Sequence, residues 1–147
     1  MLVGKVMSSP VISATHATTI CAAAELMRVY NVGALPVLQE DRLVGIVTDR
    51  DIVVRVLAGQ AAPLDLETSV IATMSDKLVT LPVDKDVKEA AELMGELQVR
   101  RLLILNRSGA MVGILSVGDI AEHVSEELAG QVLGEISEAR ARGMPRP

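Results

Sequence analysis

Apolar residues recur along this chain with two different periods, and the same succession of periods occurs twice. Ile20, Ala23, Ala24 and Met27 fall at i, i+3, i+4 and i+7, and Val87, Ala90, Ala91 and Met94 repeat that spacing 67 residues later. Such spacing gathers apolar side chains onto one face of a helix. A short extended piece precedes each helix, at residues 11–13 and 78–80. An apolar run, a polar turn and a second apolar run follow, which predicts a hairpin over about residues 34–47 and again over 102–115. A closing helix is predicted to start just after Thr48 and just after Ser116. Each unit therefore reads β-α-β-β-α.

The repeat extends to individual residues. Met7-Ser8 falls on Met74-Ser75, and Glu25-Leu26-Met27 on Glu92-Leu93-Met94. From Gly45 onward the offset becomes 68, pairing Gly45 with Gly113, Thr48 with Ser116 and Asp51 with Asp119. The extra residue falls between LQEDRLV and LNRSGAMV, in a hairpin loop, where an insertion costs least. Residues 1–59 form the first repeat, 60–69 (QAAPLDLETS) a linker, 70–129 the second repeat and 130–147 a tail. The tail is expected to be helical through about Ala141 and frayed beyond. A half of roughly 60 residues buries little surface by itself. The expected fold is α+β, with two small sheets packed as one pseudo-two-fold module.

The closing helices have diverged. The first reads DIVVRVLAG, apolar on nearly every side, whereas DIAEHVSEEL confines Ile120, Val124 and Leu128 to one stripe. A helix apolar all round is covered all round. A homodimer through the helices of the first repeat is one expectation, and cover by the chain's own tail is the other.

GIVTDRDI, residues 45–52, and GILSVGDI, residues 113–120, carry the polar residues of the repeat. Thr48-x-x-Asp51 and Ser116-x-x-Asp119 fit a helix capping box, with Asp at the acid position. Gly45 and Gly113 would relieve a crowded point in a strand. The same residues also suit half of a nucleotide site. A helix start offers amides and partial positive charge to a phosphate, a hydroxyl can donate to it, and an acid one turn on can accept from a ribose.

Composition narrows the classes. A net charge of −5 argues against a nucleic-acid protein. The single cysteine, Cys21, rules out an intrachain disulfide and any CxxC metal site. No stretch approaches the roughly 18 apolar residues of a membrane span, and the first residues lack a signal-peptide core, so a soluble cytoplasmic protein is expected. Neither His16 nor His123 has partners at catalytic spacing, and HExxH, P-loop and GxGxxG motifs are missing from the sequence. No enzyme activity, metal or required cofactor is expected.

Taken together, Val6-Met7-Ser8, NVGALPV (31–37), GIVTDRDI, QVRRLLI (98–104) and GILSVGDI resemble the motifs of cystathionine-β-synthase (CBS) domains, paired as in a Bateman module. The resemblance covers about residues 5–129 and is closest to small bacterial proteins that consist of little more than one such module. It implies a sensor for adenosine-containing ligands (AMP, ADP or ATP foremost), bound in clefts between the paired repeats, with occupancy passed to an effector protein. By position it makes Asp51 and Asp119 ribose ligands and Thr48 and Ser116 phosphate-side hydroxyls. It lays the backbone of Ile12-Ser13 and Val79-Thr80 along the adenine. Two departures stand out: Leu103 replaces the proline of NVGALPV, and Arg100 and Arg101 replace Gly33 and Ala34. Two readings of these arginines stand side by side. They supply counter-charge to a polyphosphate, which puts Arg100 in the candidate ligand set, or they take a structural role and fill the second cleft with side chain and salt bridges. The rival readings are a constitutive scaffold with empty clefts and a small nucleotide hydrolase.

Overall fold

A computed structural model of the chain describes residues 1–59 and 65–143, with side chains through residue 138. The fold is α+β, with two three-stranded sheets in two compact units. One unit is Ile12–Leu78 and the other joins Met1–Val11 to the chain from Val79 onward. The first holds β1 (Ala14–Thr15), α1 (Ile20–Tyr30), β2 (Ala34–Gln39), β3 (Arg42–Thr48) and α2 (Asp49–Asp51). α2 continues as a π-helical stretch, Ile52–Leu57. The second holds β4 (Thr80–Pro82), α3 (Val87–Leu97), β5 (Arg101–Leu105), β6 (Met111–Ser116), α4 (Val117–His123) and α5 (Glu126–Gly143). In each sheet the first strand runs parallel to the second and the second pairs antiparallel with the third. The β-α-β-β-α order thus holds twice, with the opening strands two to three residues later than the sequence pattern placed them.

Packing units and sequence repeats do not coincide. Ser75, at the head of the second repeat, forms a bridge with Ile46 on the open edge of β3, within the first unit. Ser8, at the head of the first repeat, bridges Ile114 on β6 within the second. Each sheet edge is therefore covered by the leading segment of the other repeat, which blunts an edge that would otherwise present unpaired backbone groups. The sequence repeats keep their bounds, while the packing units divide at Val11/Ile12 and at Leu78/Val79. Of the linker, residues 60–64 lie outside the described residues. Its end is ordered: Thr68 and Leu66 carbonyls accept from the Ile20 and Cys21 amides at the start of α1.

The crossing explains the repeated glycine. A Cβ on Gly45 would stand 2.5 Å from Met74 Sδ and 2.8 Å from the Ser75 carbonyl oxygen. On Gly113 its nearest neighbours would be atoms of the Met7 side chain, with Cγ at 2.8 Å. A methionine can swing aside, whereas a paired backbone carbonyl cannot without losing its bridge. Gly45→Ala is expected to destabilise by about 1–3 kcal/mol, and Gly113→Ala by less. Urea denaturation of the two variants followed by circular dichroism checks the order.

The helical faces differ between units. Val87, Ala90, Ala91 and Met94 of α3 are all buried, as their spacing predicts. In α1, Ile20, Ala23 and Met27 are buried but Ala24, the counterpart of Ala91, is exposed. The difference is α5, which packs on α3 and α4 with Ala129, Val132 and Ile136 buried in the second unit's core. The Glu135 carboxylate of α5 rests against Gly95 of α3, in the place a Cβ would take. The expected tail from residue 130 is thus part of a helix that begins at Glu126 and belongs to that core. Residues 144–147, where fraying was expected, lie outside the described residues. α3 starts at an Asp86–Glu89 capping box, in which the Lys88 amide and the chain's amino terminus hold the Asp86 carboxyl below its usual range.

Candidate functional site

Both halves of the repeated phrase form capping boxes. Thr48 Oγ1 accepts from the Asp51 amide at 3.0 Å, and Asp51 Oδ2 accepts from the Thr48 amide at 2.9 Å. Ser116 Oγ accepts from the Asp119 amide at 3.1 Å, and Asp119 Oδ2 accepts from the Ser116 amide at 2.7 Å. Ser116 Oγ also donates to Asp119 Oδ2 at 2.9 Å. The Thr48–Asp51 and Ser116–Asp119 bonds are part-buried in both units. The pattern arises because a strand ends at a hydroxyl residue whose extended backbone turns directly into a helix.

The expectation of free amides for a phosphate at these helix starts is corrected. The first helical amide of each closing helix donates to a carbonyl at the head of the hairpin, Asp49 to Gly33 and Val117 to Arg100, both at 3.0 Å. The Arg50 amide turns to Asp49 Oδ1 at 2.8 Å. The Asp49, Arg50 and Asp51 amides of the first helix start are thus bonded, as are the Val117 and Asp119 amides of the second.

Each acid keeps one carboxylate oxygen outside its cap, and the two units use it differently. Asp119 Oδ1 accepts from Ser8 Oγ at 3.1 Å. Asp51 Oδ1 faces Arg55 Nε at 3.7 Å. Arg55 also donates through Nη1 to the Thr73 and Met74 carbonyls, at 3.3 and 3.2 Å, while the fully buried Thr73 hydroxyl donates to the Asp51 carbonyl at 3.4 Å. Ser8 stands out in the sequence as part of the repeat and of Val6-Met7-Ser8, but not as a partner of Asp119. The i+4 spacing of Asp51 and Arg55 is the available signal. The contacts of Ser8 and Thr73 have none, since both reach their partners through the crossed segments.

The remaining candidates divide between the units as the repeat implies. Ile12 and Ser13 lie half-buried just before β1, in the unit of Thr48 and Asp51, with Ile12 against that core. Val79 packs on the second core, and its carbonyl accepts from the Leu103 amide at 3.0 Å. Thr80 opens β4 in the unit of Ser116 and Asp119. Arg100 and Arg101 line a pocket of about 330 Å³ together with Ser116, Val117, Gly118 and α5. A larger open groove of about 570 Å³ runs along α1 from Thr15 to Tyr30 and contains none of the candidates.

Among the described residues no three His, Cys, Asp or Glu side chains gather as a metal site, and no helix is long and apolar enough to cross a membrane.

The CBS domain family model matches residues 3–58 and 68–126, once for each repeat. The chain belongs to the CBS domain family. It is 39% identical over 132 residues to the CBS domain-containing protein YhcV of Bacillus subtilis, across 89% of this chain and 91% of that protein. To hypoxic response protein 1 of Mycobacterium tuberculosis it is 35% identical over 133 residues, across 89% and 90%. Among solved structures it is similar to hypoxic response protein 1 with two coordinated zinc ions, at a TM-score of 0.70 and 33% identity, covering 84% of this chain and 99% of that one. It is also similar to the CBS domain pair of protein MJ0100 in complex with 5′-methylthioadenosine and S-adenosyl-L-methionine, at 0.71 and 27%, covering 83% and 94%. The match to two consecutive repeats makes this chain a CBS domain pair, a type of regulatory module.

Proposed function

We propose that this CBS pair is a sensor of adenosine-containing ligands, with Asp51 and Asp119 as the ribose acceptors of two half-sites. The observation that carries the reading is the duplicated hydroxyl–acid pair, part-buried in both units, each acid keeping one oxygen outside its cap. In the second unit the Ser8 hydroxyl already donates to that oxygen, as a ribose hydroxyl would. The adenosine compounds bound by the MJ0100 pair support the ligand class. AMP, ADP and ATP are the ligands expected first, and a bound ligand acts by favouring one packing arrangement that an effector protein reads. Calorimetric titration with AMP, ADP, ATP, NADH and S-adenosylmethionine tests the reading. Absence of heat from all of them leaves the repeated phrase as helix punctuation on a scaffold, and product formation that needs Mg²⁺ would make the protein a hydrolase.

The module works as a homodimer through the helices of the first repeat. Val29 and Tyr30 of α1 are more than half exposed, and Val53, Val54 and Leu57 beyond α2 are 53, 46 and 75% exposed. The described residues of the chain therefore leave this apolar surface open, whereas α5 covers the corresponding face of the second unit. Uncovered apolar surface of this kind marks an association site. Leu57→Glu, which changes a side chain already in solvent, is expected to shift the protein from dimer to monomer without loss of helix content. Sedimentation velocity reads the mass directly.

A further inference from the structure

We propose that Arg55 is a positioning residue of the first half-site, tying Asp51 to the leading segment of the second repeat, and that the second half-site is built without such a tie. Asp51 is held from two sides. Its carbonyl accepts from the hydroxyl of the fully buried Thr73 at 3.4 Å, and its Oδ1 faces Arg55 Nε at 3.7 Å. Arg55 Nη1 meanwhile donates to the Thr73 and Met74 carbonyls at 3.3 and 3.2 Å. One planar guanidinium therefore serves the acid and two carbonyls together, which the fixed fork of arginine permits and the point charge of lysine does not. At that distance the Asp51 contact is an ion pair without a hydrogen bond. Oδ1 thus keeps its acceptor capacity, while the charge beside it fixes where the carboxylate points. With Arg55 half exposed, an i,i+4 pair of this kind adds little to stability. Its effect lies in orientation.

The counterparts in the second unit have different chemistry. At the offset of 68, Arg55 falls on His123, which faces the neighbouring Glu122 at 3.8 Å. Asp119 Oδ1 accepts from the neutral Ser8 hydroxyl at 3.1 Å, where Asp51 Oδ1 has a cation beside it. The backbone differs too. Arg55 sits in the π-helical stretch Ile52–Leu57, whereas His123 ends a regular α-helix. π-helical turns are frequent at functional sites. Thr73 and Met74 belong to the second repeat by sequence and to the first unit by packing, so the second repeat helps to shape the first repeat's acid. That Asp51 accepts from a ribose rests on the reading proposed above, whereas the contacts that orient it do not.

The test compares adenosine with 2′,3′-dideoxyadenosine, which lacks both ribose hydroxyls. Both are titrated calorimetrically into an Asp119→Asn background, so that the first half-site dominates the heat. Neither nucleoside carries a phosphate, so contact between Arg55 and a phosphate plays no part. Arg55→Gln is expected to weaken adenosine binding roughly three- to tenfold and to leave dideoxyadenosine unchanged. A merely structural role would weaken both alike. Circular dichroism verifies the fold. Arg55→Lys gives the same comparison where glutamine destabilises the unit, since lysine keeps a donor for the carbonyls without the fork. Equal losses for the two nucleosides, or no loss of adenosine, overturn the positioning role and leave the adenosine reading intact. If the protein with Arg55 in place binds both nucleosides alike, or neither, Asp51 is no ribose acceptor and both readings of the first half-site fall.

Discussion

Asp119→Ala is expected to weaken adenosine-ligand binding sharply at the second half-site, and Asp51→Ala to do the same at the first. A hydrogen bond to a charged acceptor contributes about 1.5–3 kcal/mol net, so the loss should be on the order of 10- to 100-fold per site. Each acid also closes a capping box, and its removal costs roughly 1 kcal/mol of stability as well. Asp→Asn separates the two effects. Its side-chain oxygen can still accept the cap bond from the Ser116 or Thr48 amide, while the charge that favours a ribose hydroxyl is gone. Calorimetry on Asp119→Asn should therefore show weakened binding at nearly unchanged stability. If the Asn variants bind as wild type does, the acids serve as caps and nothing else.

Ile136→Ala is expected to cost about 2–4 kcal/mol. Ile136 is 2% exposed and belongs, with Ala129 and Val132, to the core built on α3 and α4. Leu133, on the same helix but 41% exposed, sets the baseline. Leu133→Ala should cost well under half as much. Urea denaturation followed by circular dichroism suits a chain with one Tyr and no Trp. Equal effects of the two substitutions would mean that α5 is a detachable tail. A large difference makes it the fixed wall of the arginine-lined pocket.

Most of the local structure is legible in the sequence because periodicity and punctuation agree. The i, i+3, i+4, i+7 pattern, the polar turns and the hydroxyl–acid pairs each specify a feature of neighbouring residues, and each feature forms where expected. What stays hidden depends on distant contacts. Ala24 and Ala91 occupy the same place in the pattern, yet one is exposed and the other buried, because only one unit has a helix laid across it. Arg55 is recognisable as a partner of Asp51 by spacing, but its bonds to the Thr73 and Met74 carbonyls require knowing that the second repeat's leading segment returns to the first unit. The same crossing explains why Gly45 and Gly113 tolerate so little: the methionines pressed on them lie 29 residues downstream in one unit and 106 upstream in the other. The helix-start amides depart from expectation for a related reason. Their partners, the Gly33 and Arg100 carbonyls, are some 16 positions away and belong to no capping motif.

The crossed leading segments also bear on how this chain can be dissected. A cut in the linker, the natural choice from the sequence, would strip Ser75 from one sheet and leave Ser8 attached to the wrong fragment. Two such fragments mixed together could recover their edges only by trading ends, so their reassembly would be concentration-dependent. A fragment spanning residues 12–78 would instead carry a complete unit with its own edge strand. By the same logic, the linker joins two repeats that each depend on the other's first residues to cover a sheet edge.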